Sequence, residues 1–311
     1  MGAFIIRRVL YSIPIVLGTT LLLFLIFNVV PGDPALVLAG KHPTPELIAS
    51  IRAELGLDKP LYIQYLTLLK QLFTFDLGRS YSTKQQIWDM IKDGAGPSLS
   101  LTGPAFLISV VLGLLLGMFV AFYRGRLIDR GIVAVCVAAQ SISILVYVIF
   151  GQYFLAYKWG WFPISGYDPS FDGRWAFVIL PGLIYIAVAL APEIRFYRTI
   201  ILDELYQDYT RTARAKGLNE RMVMLKHVLK NAMIPIITDL VISLPFLILG
   251  SIVIESFFSI PGLGDLIVRA IQNTDRPVII SITFLGTLAY VVFNTISDIL
   301  YGLVDPRVKL G

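Results

Sequence analysis

The chain has 311 residues, 56% of them hydrophobic and only 15% charged, with a mean hydropathy of +0.76. That balance excludes an ordinary water-soluble domain of this length and makes lipid the solvent for most of the chain. The net charge of +5 and pI near 9.2 would suit nucleic acid in a soluble protein, but basic loops facing anionic lipid account for them here, and no nucleic-acid partner is expected.

A bilayer core about 30 Å thick takes about 20 apolar residues in helix, because hydrocarbon offers no partner to an unpaired amide or carbonyl. The first such run covers residues 9–30, after Arg7 and Arg8 and before the breaker cluster Pro31-Gly32-Asp33-Pro34. It exceeds the h-region of about 7–15 residues in a cleavable signal and is read as a retained anchor. Residues 99–123, 132–157, 175–192, 232–257 and 278–304 bring the predicted spans to six. The fold class is all-α integral membrane protein, one transmembrane domain over residues 1–311, with an external helical insertion at 31–98 and a cytoplasmic loop at 193–231.

Lys and Arg in short loops resist translocation. Arg7, Arg8, Arg124, Arg126, Arg130, the basic stretch from Arg195 to Lys230, Arg307 and Lys309 fall on one side. The short opposite loops hold only Lys158, Arg174, Arg269 and Arg276. Both termini are therefore expected in the cytoplasm. The seven Lys or Arg of residues 31–98 do not count, since loops beyond about 60 residues translocate largely regardless of charge. Tyr157, Trp159, Trp161, Phe162, Tyr167 and Trp175 mark the outer interface, where amphipathic rings settle.

Within the external segment, Thr44 and Pro45 look like an N-cap and first helical residue, Leu47, Ile48, Ile51 and Leu55 form one stripe, and Gly56 ends it. A second stripe of Leu61, Tyr65, Leu68, Leu69 and Leu72 follows Pro60. Thr83 and Gln86 are spaced as a capping box for a third short helix bearing Ile87, Met90 and Ile91. A helical cap at the outer mouth and amphipathic helices resting on the outer leaflet both fit this pattern.

Metal and nucleotide chemistry find no footing. Cys136 is the lone cysteine, inside the third run, and His42 and His227 are placed on opposite sides of the membrane. The one Gly-Lys pair, Gly40-Lys41, lacks the flanks of a phosphate-cradling loop. No His lies within a run, against a membrane hydrolase. No internal repeat appears, against an ion-coupled transporter.

The most informative stretch runs from Asp203 to Pro235. Good helix formers lead to Gly217, a suitable left-handed stop; Asn219 is a suitable cap, and Met222, Leu225 and Leu229 restart a helical stripe. Two short helices meeting at a glycine elbow suit a partner's groove, while a basic loop touching lipid phosphates explains the same residues. Asp208 to Leu218 reads Asp-Tyr-Thr-Arg-Thr-Ala-Arg-Ala-Lys-Gly-Leu. This resembles the coupling (EAA) loop of binding-protein-dependent ABC importers, in the form seen in the B-type subunit of dipeptide, oligopeptide and nickel permeases. Pro31-Gly32-Asp33-Pro34, Gly56 to Pro60, Asp76 to Ser80, Pro261 to Gly264 and Tyr301 to Arg307 are similar to family landmarks, in family order, so the likeness covers essentially the whole chain. The generic importer motif ends Ile-x-Leu-Pro, whereas this chain reads His227-Val228-Leu229-Lys230, as in the peptide branch.

The resemblance implies a type I ABC importer permease fold in the bacterial inner membrane, a second homologous permease, two cytoplasmic ATPases that bind ATP and Mg, and an external solute-binding protein delivering peptides. No cofactor is expected in this chain. Nickel complexes, glutathione and oligosaccharides are the alternative cargoes. It further implies an ATPase-coupling site over Asp208, Tyr209, Arg211, Thr212, Ala213, Arg214, Ala215, Lys216, Gly217 and Leu218, with Gly217 as the elbow.

Charges inside spans are functional candidates because lipid penalises them. Asp239, Glu255 and Asp298 qualify. Asp239 and Asp298 are read as structural. Glu255, with Phe257, Pro261, Gly262 and Gly264, is read as an outer gate with a short re-entrant helix, or as plain anchoring. Gly113 and Gly117 are spaced as a helix-packing face. Gln140, Ser141 and Ser143 either face the pathway or bond a neighbouring helix.

Overall fold

A computed structural model describes residues 2–29, 34–39 and 44–304. The cluster Pro31 to Asp33, the residues Gly40, Lys41 and His42, and the closing Asp305 to Arg307 lie outside the described residues. The elements are α1 (Gly2–Val29), α2 (Pro34–Ala39), α3 (Pro45–Glu54), α4 (Leu61–Phe73), α5 (Ile87–Phe122), α6 (Leu127–Gln140), α7 (Ile144–Lys158), α8 (Arg174–Leu205), α9 (Asp208–Ala215), α10 (220–249), α11 (Ile252–Phe258), α12 (Leu263–Gln272) and α13 (Arg276–Val304). Among the described residues no strand forms beyond an isolated Arg79–Gln86 bridge. Among the described residues five stretches are long and apolar enough to cross a membrane, and the pair α6 and α7 makes a sixth if counted as one span.

That pair departs from the expected single run over 132–157: it bends by 88°. Ser141 turns its hydroxyl back on the Val137 carbonyl (2.9 Å), and Ser143 adopts extended backbone and caps the Leu145 amide (3.3 Å). One helix ends and another begins within three residues. Hydropathy sees length and is blind to such a change of direction. The fourth run does not stop at Pro192, because α8 continues to Leu205 through Pro181 and Pro192. A proline removes a single amide, a loss that membrane helices tolerate. The fifth run breaks at Gly250, whose φ of 75° only glycine adopts freely. The third external helix is not separate: α5 runs unbroken from Ile87 to Phe122, and the Thr83 amide is taken by Ser80 Oγ (2.9 Å) instead of a capping box with Gln86.

Two compact units divide the chain. In the first, Met1–Gly94 with Leu266–Val292, α3 starts as expected, with Thr44 Oγ1 accepting the Leu47 amide (3.3 Å), and Gly56 follows it at φ 66°. The Tyr65 hydroxyl on α4 reaches Thr20 Oγ1 and donates to the Leu17 carbonyl on α1, both at 3.1 Å. Phe24 packs on its ring at 5.4 Å. Phe73 meets Phe284 of α13 edge-on at 5.7 Å. α4 is thus tied to α1 and α13 of its unit. Asp275 latches the loop after α4: its carboxylate accepts the Ser80 hydroxyl, the Ser82 hydroxyl (2.7 Å) and the amides of Tyr81 (3.0 Å) and Ser82 (3.1 Å). Burial pushes this carboxyl up, but the four donors outweigh it and hold it below the usual carboxylate range.

The second unit, Ala95–Asp265 with Phe293–Gly311, is built around α8. Gly113 and Gly117 let α5 approach it: a methyl at 113 would stand 2.8 Å from Glu193 Oε2, and one at 117 would stand 2.9 Å from Tyr197 Cβ. This is the expected packing face. Arg198 grips Asp129 of α6 through two bonds of 2.7 and 2.9 Å. Arg195 donates to Gln140 (2.9 Å), so Gln140 bonds a neighbouring helix, while Ser141 and Ser143 serve helix ends.

Candidate coupling site and outer carboxylate knot

The elbow begins where α8 ends at Leu205. Thr210, fully buried, donates to the carbonyls of Leu205 (2.8 Å) and Gln207 (2.7 Å), fixing the angle at which α9 leaves. Tyr209 donates to the Glu204 carboxylate. Burial, reinforced by that carboxylate, pushes the Tyr209 phenol up to about 12. At the other end Gly217 has φ 80°, and its amide closes on the Arg214 carbonyl (2.9 Å). Asn219 Oδ1 accepts the Met222 amide (2.8 Å) to open α10. Across the turn, Arg214 clamps Glu220 at 2.8 and 3.3 Å, a bidentate pair with fixed geometry.

The inner face is solid. Ala213 is buried with Tyr197, Ile201, Leu205, Val223, Met224 and Val228 in one core. Of the residues singled out in the loop, Ala213 therefore faces inward, and Tyr209, Arg214 and Leu218 are half-buried. Asp208, Arg211, Thr212, Ala215, Lys216 and Gly217 are exposed. They make a mixed-charge outer face on a short helix that cannot move without moving α8 and α10. α10 itself takes a wide, π-type turn over Val223–Val228, a local irregularity often found at functional positions.

Glu255 is fully buried. Its Oε1 accepts the Ser251 amide (2.9 Å), and its Oε2 accepts those of Gly264 (2.8 Å) and Asp265 (3.3 Å). Ser98 Oγ accepts the Leu263 amide (2.8 Å) beside it. A carboxylate at the first turn of α12 is favoured by the helix dipole and by charge-assisted bonds. Glycine is obligatory around it: a methyl at Gly250 or Gly262 would fall 2.1 or 2.3 Å from a Glu255 oxygen, and one at Gly264 would meet the Ile252 backbone at 2.8 Å. Glu255, Gly262 and Gly264 thus form one knot that ties α11 to residues 262–265, while Phe257 and Pro261 sit exposed at its edge. The Phe257 carbonyl accepts Gln152 Nε2 (3.1 Å).

A further acid, Glu193, lies just beyond Pro192, where the predicted fourth run ends. Glu193 Oε1 accepts the Ser109 hydroxyl (2.9 Å), and Oε2 is buried without a partner among the described residues. Its position one residue beyond a proline, inside a helix that continues, was the signal available.

Residues 113–310 match the family described as binding-protein-dependent transport system inner membrane component, and residues 1–102 match the N-terminal part of such components. The chain belongs to this family of inner-membrane permeases of ABC-type importers. Among curated relatives it is 37% identical over 313 residues to a putative peptide transport system permease protein of Brucella abortus, with 99% of each chain covered. It is 38% identical to one of Brucella suis, again over 99% of each. It is 35% identical, over 98% of each, to the glutathione transport system permease protein of Escherichia coli.

Proposed function

We propose that this permease carries peptides across the inner membrane and is driven at the elbow of α9 and α10 by ATPase subunits. ATP and Mg are bound by those partners, and this chain needs no cofactor. A second, homologous permease completes the pathway, an external binding protein delivers cargo, and both termini lie in the cytoplasm with the α9 face. The observation that carries the reading is mechanical. The exposed residues Asp208, Arg211, Thr212 and Ala215 sit on a helix whose inner face, through Ala213 and Thr210, is packed against α8 and α10. Docking such an elbow in a groove transmits rigid-body motion to the spans it joins. Nucleotide binding has only to separate two packed states by a few kcal/mol.

In this reading, closure of the ATPases draws two elbows together and the spans turn from inward-open to outward-open. No covalent step occurs in this chain. The peptide assignment rests on the Brucella relatives, and glutathione, itself a tripeptide, is the second reading that the Escherichia coli relative favours. Uptake of labelled dipeptides, longer peptides and glutathione into proteoliposomes holding the full set of subunits tests both. ATP-dependent uptake lowered in Gly217→Val, with the complex assembled, supports the elbow. Uptake by this chain alone without ATP would overturn it.

A further inference from the structure

Beside the elbow, a groove of about 350 Å³ opens between the end of α5 and the start of α10. Leu115, Phe119 and Phe122 wall it on one side, Met224 and Leu225 on the other, and Arg221 stands at its edge. An apolar ridge leads into it along α5. Leu107, Val111, Leu115 and Phe119, four residues apart and 43–64% exposed, lie on one face of the helix. Where the apolar wall ends, cations begin. Tyr123 lines the groove and carries the Arg126 guanidinium 5.4 Å from its ring centre. Arg214 nearby is taken by Glu220, but Arg221 makes no ion pair among the described residues.

An apolar track that ends in uncompensated arginine at the head-group level is complementary to an amphiphile with an anionic head. We propose that this groove holds an anionic phospholipid of the leaflet on the basic-loop side. Its phosphate sits on Arg221, and one acyl chain follows the ridge from Phe119 to Leu107. The lipid ties the α10 half of the elbow to the bilayer. The proposal needs only that the Phe119 end of α5 reach the interface. It is independent of what docks on the α9 face.

The test uses the assembled transporter in detergent, offered phosphatidylglycerol or phosphatidylcholine with the same chains, with bound lipid counted by native mass spectrometry. Phosphatidylglycerol should be retained preferentially. Arg221→Glu should cut that retention by at least roughly fivefold, the worth of one cation at a membrane surface, with Arg221→Lys recovering most of it and phosphatidylcholine unchanged. A photo-crosslinker placed at Leu225 in membranes should label lipid. Equal retention of the two lipids, or an assembled Arg221→Glu complex that keeps its phosphatidylglycerol, would overturn the proposal, as would a Leu225 crosslink to a protein subunit. If Arg221→Glu does not assemble, the Leu225 crosslink decides.

Discussion

The Glu255 carboxylate accepts the backbone amide of Gly264 at 2.8 Å in a site with no solvent exposure. Nine residues apart in sequence, the two tie the first turn of α11 to the chain at Gly264. Glu255→Ala leaves the buried amides of Gly264 and Asp265 without this acceptor, and at about 1–3 kcal/mol per orphaned donor the expected loss is at least about 2 kcal/mol. Thermal unfolding of the detergent-solubilised complex measures it. A melting temperature within a degree of wild type would mean that the knot is dispensable.

Gly217 should tolerate size but not handedness. Nothing stands within 4 Å of a methyl built there, yet its φ is 80°. Gly217→Val meets only the left-handed penalty of roughly 1–2 kcal/mol and should lower ATP-dependent uptake at least roughly fivefold. Gly217→Asn, better suited to that region, should keep most of it. Equal uptake by the two variants would show that the backbone sign is irrelevant to coupling.

Arg198 and Asp129 form a bidentate pair whose acid is 5% exposed. Arg198→Ala leaves the buried Asp129 carboxylate with the Gly125 amide (2.8 Å) but without its cation and should cost about 1–3 kcal/mol. Arg198→Lys should recover less than half, because one ammonium cannot reproduce the fork. Full recovery by lysine, read from complex yield and melting temperature, would reduce the pair to simple charge balance.

The Asp275 latch predicts an acid-sensitive loop. A carboxyl held below its ordinary value adds stability that is complete above about pH 4 and is lost as pH falls through the depressed value. Amide protection at Tyr81 and Ser82, corrected for intrinsic exchange, should be constant from pH 7 to 5 and fall below about pH 4. Asp275→Asn should show weaker protection with no such step. A wild-type profile flat to pH 3 would contradict the latch.

The parts of this architecture visible in the sequence are those encoded locally. Apolar length located the spans, and Thr44, Gly56, Gly217 and Asn219 announced their helix ends because caps and left-handed turns need particular residues. What stayed hidden depends on partners far along the chain. Nothing in the run 132–157 reveals that Ser143 caps a new helix at a steep angle, and nothing around Ser98 announces the Leu263 amide it accepts. Glu193 was lost to a rule that holds in water: proline ended the run on paper, while lipid keeps the helix going to Leu205. At the elbow, the resemblance to coupling loops marked Asp208 to Leu218, but the inward turn of Ala213 depends on Val223 and Val228, packed against it from beyond the glycine.

The tight fit of Gly250 and Gly262 around Glu255 also constrains how such a chain can drift over generations. With a single added carbon 2.1 or 2.3 Å from a carboxylate oxygen, neither glycine can change while the acid remains, and the acid cannot leave without stranding its amides. Each step alone passes through a damaged protein. The three positions are therefore expected to be inherited as a block, exchanged together or not at all, even if every loop around them varies.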